Sequence, residues 1–127
     1  MDIFRLNEVS AFRTKDGSEI RELLSPRNSY IARQSLAEAR LSPGSSTTPH
    51  YHPQTEEIYY ITAGNGQMRI GDEVATVTAG DAIAIPPGQT HQLTNIGPGV
   101  LKLLCCCAPA YEHDDTVLVE NWPPHSS

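Results

Sequence analysis

Residues 44–64 read GSSTTPHYHPQTEEIYYITAG, and this stretch decides how the rest of the chain is interpreted. His50 and His52 are two positions apart, and Glu57 opens an alternating run of apolar and polar residues. Side chains of a β-strand alternate between its faces, so the two imidazoles project to the same side. Glu57 follows after a short connection and can face the same point. The stretch therefore predicts a metal site, because neutral imidazole and ionised carboxylate suit Zn, Fe, Mn, Ni or Co.

A second informative stretch, residues 80–95, reads GDAIAIPPGQTHQLTN. Its Pro-Pro-Gly sequence cannot continue a β-ladder, so one strand ends there and another begins near His91. If the sheet folds back at this corner, His91 joins the first three ligands. Glu56 is the rival carboxylate, but strand parity with Tyr59 favours Glu57.

The two stretches resemble the two sequence motifs of the cupins, written G-x5-H-x-H-x4-E-x6-G and G-x5-P-x-G-x2-H-x3-N. Every fixed position of both motifs is filled, and together the motifs span residues 44–95. The resemblance implies an all-β fold, the double-stranded β-helix or jelly-roll barrel. It also implies one divalent metal ion (Mn, Fe, Zn or Ni) held by His50, His52, Glu57 and His91. Residues 16–21 and 107–111 further resemble a subgroup of cupin 2 type proteins described as mannose-6-phosphate isomerase-like.

Short apolar runs between the ten prolines and nine glycines are typical of an all-β protein. We interpret residues 1–127 as one cupin domain with a motif core at 44–95 and a flexible tail at 121–127. Residues 7–16 fit either a strand or a short turn. The sequence predicts nine strands, at residues 20–24, 35–41, 57–62, 67–70, 73–78, 82–85, 91–95, 100–108 and 116–120.

Charge and composition narrow the class of partner. The formal net charge is -6, and the nine Lys and Arg are spread thinly, which disfavours binding to nucleic acid or to a membrane surface. Residues 1–7 lack the pattern of a signal peptide, and the three cysteines are adjacent, at 105–107. We therefore expect a cytoplasmic protein in a reducing compartment.

Strand alternation assigns further side chains to the barrel interior. If Glu57 points inward, so do Tyr59 and Ile61, while Ile58 and Tyr60 face outward. Tyr59 is our candidate catalytic residue, because a buried phenol needs a polar partner. On other strands we expect Met68, Ile70, Leu93, Asn95, Leu101, Leu103, Cys105 and Cys107 to face inward, and Leu104 and Cys106 to face outward.

The role of the inward cysteines is open. Cys105 and Cys107 act either as small buried hydrophobes or as an inner thiol near the metal. Other polar residues, which we expect to be solvated or to order loops, are Glu38, Arg40, His113, Asp114 and Asp115.

Four protein ligands leave two positions open on a six-coordinate metal, which suits a small oxygenated substrate. The first hypothesis is an isomerase, epimerase or lyase whose base is Tyr59, Glu38 or a cysteine. The second is a metal-dependent dioxygenase with an apolar pocket. The third is a non-catalytic cupin that binds a small molecule.

Small cupins that resemble this chain are usually homodimers, often formed by exchange of an N-terminal strand. The predicted strand at 20–24 and the proline-containing connection after it fit such an exchange. A pairing strand would also cover an exposed sheet edge.

Overall fold

The computed structural model describes residues 1–123. In this part of the chain, eleven strands form two antiparallel sheets, and the helical elements are two short 3-10 turns, Leu6–Glu8 and His113–Asp115. The predicted all-β jelly-roll is confirmed. The strands are β1 Phe12–Arg13, β2 Glu19–Leu24, β3 Ser35–Leu41, β4 His50–Tyr51, β5 Glu56–Ala63, β6 Asn65–Ile70, β7 Glu73–Thr78, β8 Ala82–Ile85, β9 His91–Asn95, β10 Leu101–Ala108 and β11 Val117–Leu118.

The sheets interleave strands from distant parts of the chain. One sheet has the order β1-β2-β3-β10-β5-β8, and the other has the order β11-β4-β9-β6-β7. Strand β10 therefore lies between β3 and β5, and β9 lies between β4 and β6. These crossovers bring the two motifs together, because His50 on β4 is the register partner of His91 on β9.

The barrel core follows the alternation predicted from the sequence. Along β5, Glu57, Tyr59 and Ile61 are buried, whereas Ile58 and Tyr60 on the opposite face are 50% and 43% exposed. The other inward side chains that pack together come from both sheets, and they include Leu41, Met68, Leu93, Leu101 and Leu103. Asn95 ties down the backbone at one end, donating to the carbonyls of Leu41 and Gly99.

The predicted strands are confirmed with small shifts of their ends, apart from the last. The segment predicted as a strand at 116–120 pairs only over β11, whose two residues match the two residues of its partner strand β4. Residues 7–16, for which the sequence fits either a strand or a turn, contain the two-residue strand β1. Part of the predicted tail, residues 124–127, lies outside the described residues. None of the described helices is long and apolar enough to cross a membrane.

We expect two isoleucines to differ sharply in their effect on stability. Ile61 is fully buried, so Ile61→Ala should lower the free energy of unfolding by about 2–5 kcal/mol. Ile96→Ala, the matched control in the loop after β9, should cost less than about 1 kcal/mol, because Ile96 is 52% exposed. Denaturant unfolding at one protein concentration measures both variants, and equal losses would contradict the burial of Ile61 in the core.

Candidate metal centre

Three buried histidines meet at the centre of the barrel. His50 and His52 come from β4 and the residue after it, and His91 opens β9. Their ligand nitrogens all lie within 4.8 Å of one another. Their side chains are almost without solvent contact, since the three residues are between 0% and 4% exposed. The structure thus places all three predicted histidines in one cluster with the geometry of a metal site.

Backbone carbonyls fix how each imidazole is oriented. His50 Nδ1 is 2.7 Å from the Thr48 carbonyl, and His91 Nδ1 is 3.0 Å from the Gln89 carbonyl. His52 Nδ1 is 3.0 Å from the Asp115 carbonyl. A carbonyl oxygen only accepts, so each Nδ1 must carry the proton and donate it. The Nε2 atom of each neutral ring is then a lone-pair acceptor, as a metal ligand requires.

Glu57 points into the same centre from β5. Its Oε1 atom lies 3.4 Å from His52 Nε2 and 3.6 Å from His91 Nε2. Glu57 Oε1 and His91 Nε2 are buried and have no hydrogen-bond partner among the described residues. The rival carboxylate Glu56 is exposed on the outer face of the same strand. A cation between these atoms would satisfy both orphaned acceptors, so the donor set fits a metal ion.

The ionisation of the cluster follows from burial and mutual contact. Burial works to raise the pKa of Glu57, but the neighbouring His52 and His91 outweigh it and hold that pKa at about 2. Burial, with His91 close by, lowers the pKa of His50. For His52, burial lowers the pKa, yet the contact with Glu57 dominates and the net shift is upward. Glu57 is therefore ionised at neutral pH, and His50 is neutral.

Cys107 supports Glu57 from β10. Its Sγ lies 3.3 Å from Glu57 Oε2, and the thiol donates to the carboxylate. Cys105 and Cys107 line the cavity beside the cluster, as the alternation predicted, and Cys106 does not. Burial and then the charge of Glu57 raise the pKa of both Cys105 and Cys107. Both thiols are thus protonated near pH 7, which favours packing and support of Glu57 over nucleophilic chemistry.

The other candidate residues fall in different places. Tyr59 is buried, with its ring centre 5.9 Å from that of His91. Asp115 orders a loop as expected, since its carboxylate accepts from the Gln54 and Thr55 amides.

The expectation that Glu38 is solvated is wrong, because it is only 4% exposed. Strands β2 and β10 flank it on both sides, and its carboxylate pairs with Arg40. Its strand neighbours Ala37 and Ala39 face the interior, so Glu38 faces away from the metal cluster.

Sequence reasoning missed two residues beside the cluster. Asp16, in the turn between β1 and β2, places its Oδ2 atom 3.5 Å from His50 Nε2. Tyr111, after β10, packs edge-on against His52 with ring centres 6.1 Å apart. The Asp-Gly pair at 16–17 signals a turn, but nothing in the sequence shows which strand end that turn covers.

Comparison with known proteins agrees with this architecture. The two sheets and their central histidines are those of a jelly-roll barrel, and the model of the cupin domain family matches residues 37–107. The chain therefore belongs to the cupin domain family.

Three similar proteins illustrate its range. An uncharacterized protein of Methanocaldococcus jannaschii is 47% identical over 114 residues, covering 90% of this chain and 91% of the relative. The polyketide cyclase RemF from Streptomyces resistomycificus aligns with a TM-score of 0.78 and 25% identity, covering 94% of this chain and 85% of that one. A predicted oxalate decarboxylase from Thermotoga maritima aligns with a TM-score of 0.75 and 27% identity, covering 84% and 98%. The mannose-6-phosphate isomerase-like assignment gains no support from these three.

The three thiols should differ in reactivity. Cys106 is half-buried on the outer face, so we expect a thiol reagent at pH 7 to label it first. Cys105 and Cys107 should label more slowly, because they face the cavity and their pKa values are raised further than that of Cys106, which burial also raises. The fast phase of labelling should vanish in Cys106→Ser. As a control, all three thiols of the wild-type protein should react in denaturant. A fast phase that persists in Cys106→Ser would contradict the packing role.

Proposed function

We propose that this cupin binds one divalent metal ion through His50, His52, Glu57 and His91. One observation carries the proposal: the ligand nitrogens of three buried histidines converge, and Glu57 Oε1 and His91 Nε2 are buried there without a hydrogen-bond partner among the described residues. Buried acceptors in this position repel one another unless a cation or a trapped proton lies among them. The mixed histidine and carboxylate set suits Mn, Fe, Zn or Ni.

The proposed activity is that of a metal-dependent enzyme on a small oxygenated molecule, by isomerase, epimerase or lyase chemistry. When bound, the metal supplies Lewis acidity that polarises a substrate carbonyl or stabilises an enolate. The chain itself orients the ligands through the carbonyls of Thr48, Gln89 and Asp115 and through the Cys107 thiol. This support holds the ligand atoms in place before substrate arrives.

Tyr59 is the catalytic residue that we propose, and its buried ring lies beside that of His91. Burial, and then the charge of Glu57, raise the pKa of its phenol, which keeps the hydroxyl protonated. We propose that Tyr59 donates a hydrogen bond or proton towards the centre. Glu38 is set aside as a base because its side chain lies on the other face of β3.

A second candidate function is a metal-dependent dioxygenase. The observation that favours it is the apolar wall of the cavity, which includes Phe12, Ile20 and Ala37. Oxygen uptake by protein loaded with iron separates this reaction from the first. Tight ligand binding without turnover of any kind would instead favour a non-catalytic binding protein.

We also propose that the protein is a cytoplasmic homodimer. Its three cysteines are unpaired in the described part of the chain, which fits a reducing compartment. The outer face of the six-stranded sheet exposes Ile58 and Tyr60, and apolar patches of this kind often mark interfaces. Strand β2 pairs with β3 of the same chain, so the dimer we propose does not depend on strand exchange.

Removing single ligands tests the metal site. His50→Ala, His52→Ala or His91→Ala should each lower metal affinity by at least about 100-fold, since loss of a merely supporting group costs about 10–100-fold. Glu57→Gln should lower metal affinity, and the exposed neighbour Glu56→Gln, its matched control, should not. Metal content per chain is measured by mass spectrometry on protein purified without chelators or metal columns. Equal losses from the two glutamine variants would overturn the ligand assignment.

Light scattering tests the dimer. At micromolar concentration we expect a particle of twice the 13.9 kDa chain mass. Tyr60→Lys should shift the equilibrium towards the monomer by placing a charge in the interface. Thr76→Lys, the control at an exposed position, should not. A wild-type particle of 13.9 kDa alone would contradict the proposal.

A further inference from the structure

The cavity beside the histidine cluster is narrow, with a volume of about 40 Å³. That volume is below the range of sites that hold drug-sized molecules, so the cavity suits only a small ligand. Much of the wall is apolar, with Phe12, Ile20 and Ala37 among the lining residues. The cavity therefore offers a ligand both apolar contact and access to the metal cluster.

The charged groups that line this cavity are carboxylates. Asp16 and Glu22 line it, and neither lysine nor arginine is among its described lining residues. The carboxylate of Glu22 is already paired, with Arg27 Nη2 2.9 Å from its Oε2 atom. Asp16 is therefore the lining carboxylate without a cationic partner from Lys or Arg.

Basic side chains on segments that border this cavity contact protein oxygens. Arg27 contacts Glu112 as well as Glu22, with 3.4 Å between Arg27 Nη1 and Glu112 Oε2. Lys15 Nζ donates to the Thr116 carbonyl, and Arg13 Nη1 donates to the Gly17 carbonyl. An anion entering the cavity meets no lysine or arginine in its described lining.

Asp16 is held rigidly at the metal side of this cavity. Its Oδ1 atom accepts from the Thr14 hydroxyl and from both the amide and the hydroxyl of Ser18, at 2.6–2.9 Å. Its backbone carbonyl accepts from the Thr48 amide at 2.7 Å, just before His50. These bonds leave Oδ2 free, 3.5 Å from His50 Nε2. Asp16 Oδ1 therefore stabilises the turn, and Asp16 Oδ2 is left to contact a group bound at the histidine cluster.

A polar ligand group also has an uncharged partner available. The Tyr111 hydroxyl is buried and has no hydrogen-bond partner in the part of the chain described. Tyr111 lines the same cavity and packs against His52. Its phenol can donate to a carbonyl or accept from a hydroxyl of a neutral ligand.

We infer that the cavity selects uncharged, hydroxyl-bearing molecules with an apolar surface and rejects dianions such as dicarboxylates and phosphate esters. This inference rests on the proposed function, because the ligand shares the metal. The carboxylates of Glu57 and Asp16 would balance the charge of a divalent ion held at the cluster, so the loaded site would not attract an anion. Asp16 Oδ2 instead accepts a hydrogen bond from a ligand hydroxyl, and the apolar wall takes the rest of the molecule.

The test compares two probes that each offer two adjacent oxygens: the dianion oxalate and neutral benzene-1,2-diol. Calorimetric titration into zinc-loaded protein at pH 7 gives both affinities for wild type, Asp16→Asn and Asp81→Asn. Asp81 is the matched control because it is exposed at the far end of β5 from Glu57. Wild type should bind the diol more tightly than oxalate. In Asp16→Asn the ratio of oxalate to diol affinity should rise about tenfold or more, and in Asp81→Asn it should stay unchanged.

Zinc content and thermal unfolding, measured first on each protein, separate the possible failures. Asp16→Ala is measured alongside and should shift the ratio in the same direction, since either replacement removes the charge. If wild type holds zinc but prefers oxalate, or if the ratio is the same in Asp16→Asn and wild type, the inference is wrong and the metal site stands. If folded wild type holds no zinc or other divalent metal, the proposed function and the inference both fail.

Discussion

Four buried side chains, those of His50, His52, His91 and Glu57, bring their ligand atoms together at the barrel centre. The Nδ1 atom of each imidazole donates to a backbone carbonyl, so the Nε2 atoms of His50, His52 and His91 face one another. Glu57 Oε1 lies close to two of them, those of His52 and His91. Such an arrangement is electrostatically unfavourable on its own, because buried acceptors without donors lose their hydration. The metal ion that we propose would stabilise this arrangement by pairing with the acceptors.

The jelly-roll order explains how distant residues reach one point. Strand β4 pairs with β9, which aligns His50 with His91, while β5 brings Glu57 alongside β10 and the Cys107 thiol. The core beneath is filled by Ile61, Leu93 and similar side chains, so the cluster is rigid on that side. On the other side the β1–β2 turn carries Asp16 over the cavity. Rigidity behind the ligands and an open cavity in front are what a site that exchanges small molecules requires.

Much of this was predictable because strands have a period of two and because the histidines and Glu57 have a fixed spacing in the two motifs. Alternation alone assigned Glu57 and Tyr59 to the interior and Ile58 to the surface, in agreement with their burial. The same reasoning failed for Glu38, whose burial depends on strands β2 and β10 on either side of it. It also missed Asp16, since a turn signal gives local geometry but not the tertiary contact the turn makes. A single sequence does not predict which residues of other strands and turns contact a polar side chain.

Anomalous X-ray diffraction from crystals of the protein purified with its native metal would locate a bound ion without any assumption about the reaction. We expect one strong peak per chain, about 2.0–2.2 Å from the Nε2 atoms of His50, His52 and His91 and from a carboxylate oxygen of Glu57. The energy at which the peak appears would also identify the metal. A fully ordered centre with no anomalous peak, or a peak bound by other residues, would contradict the proposed metal site.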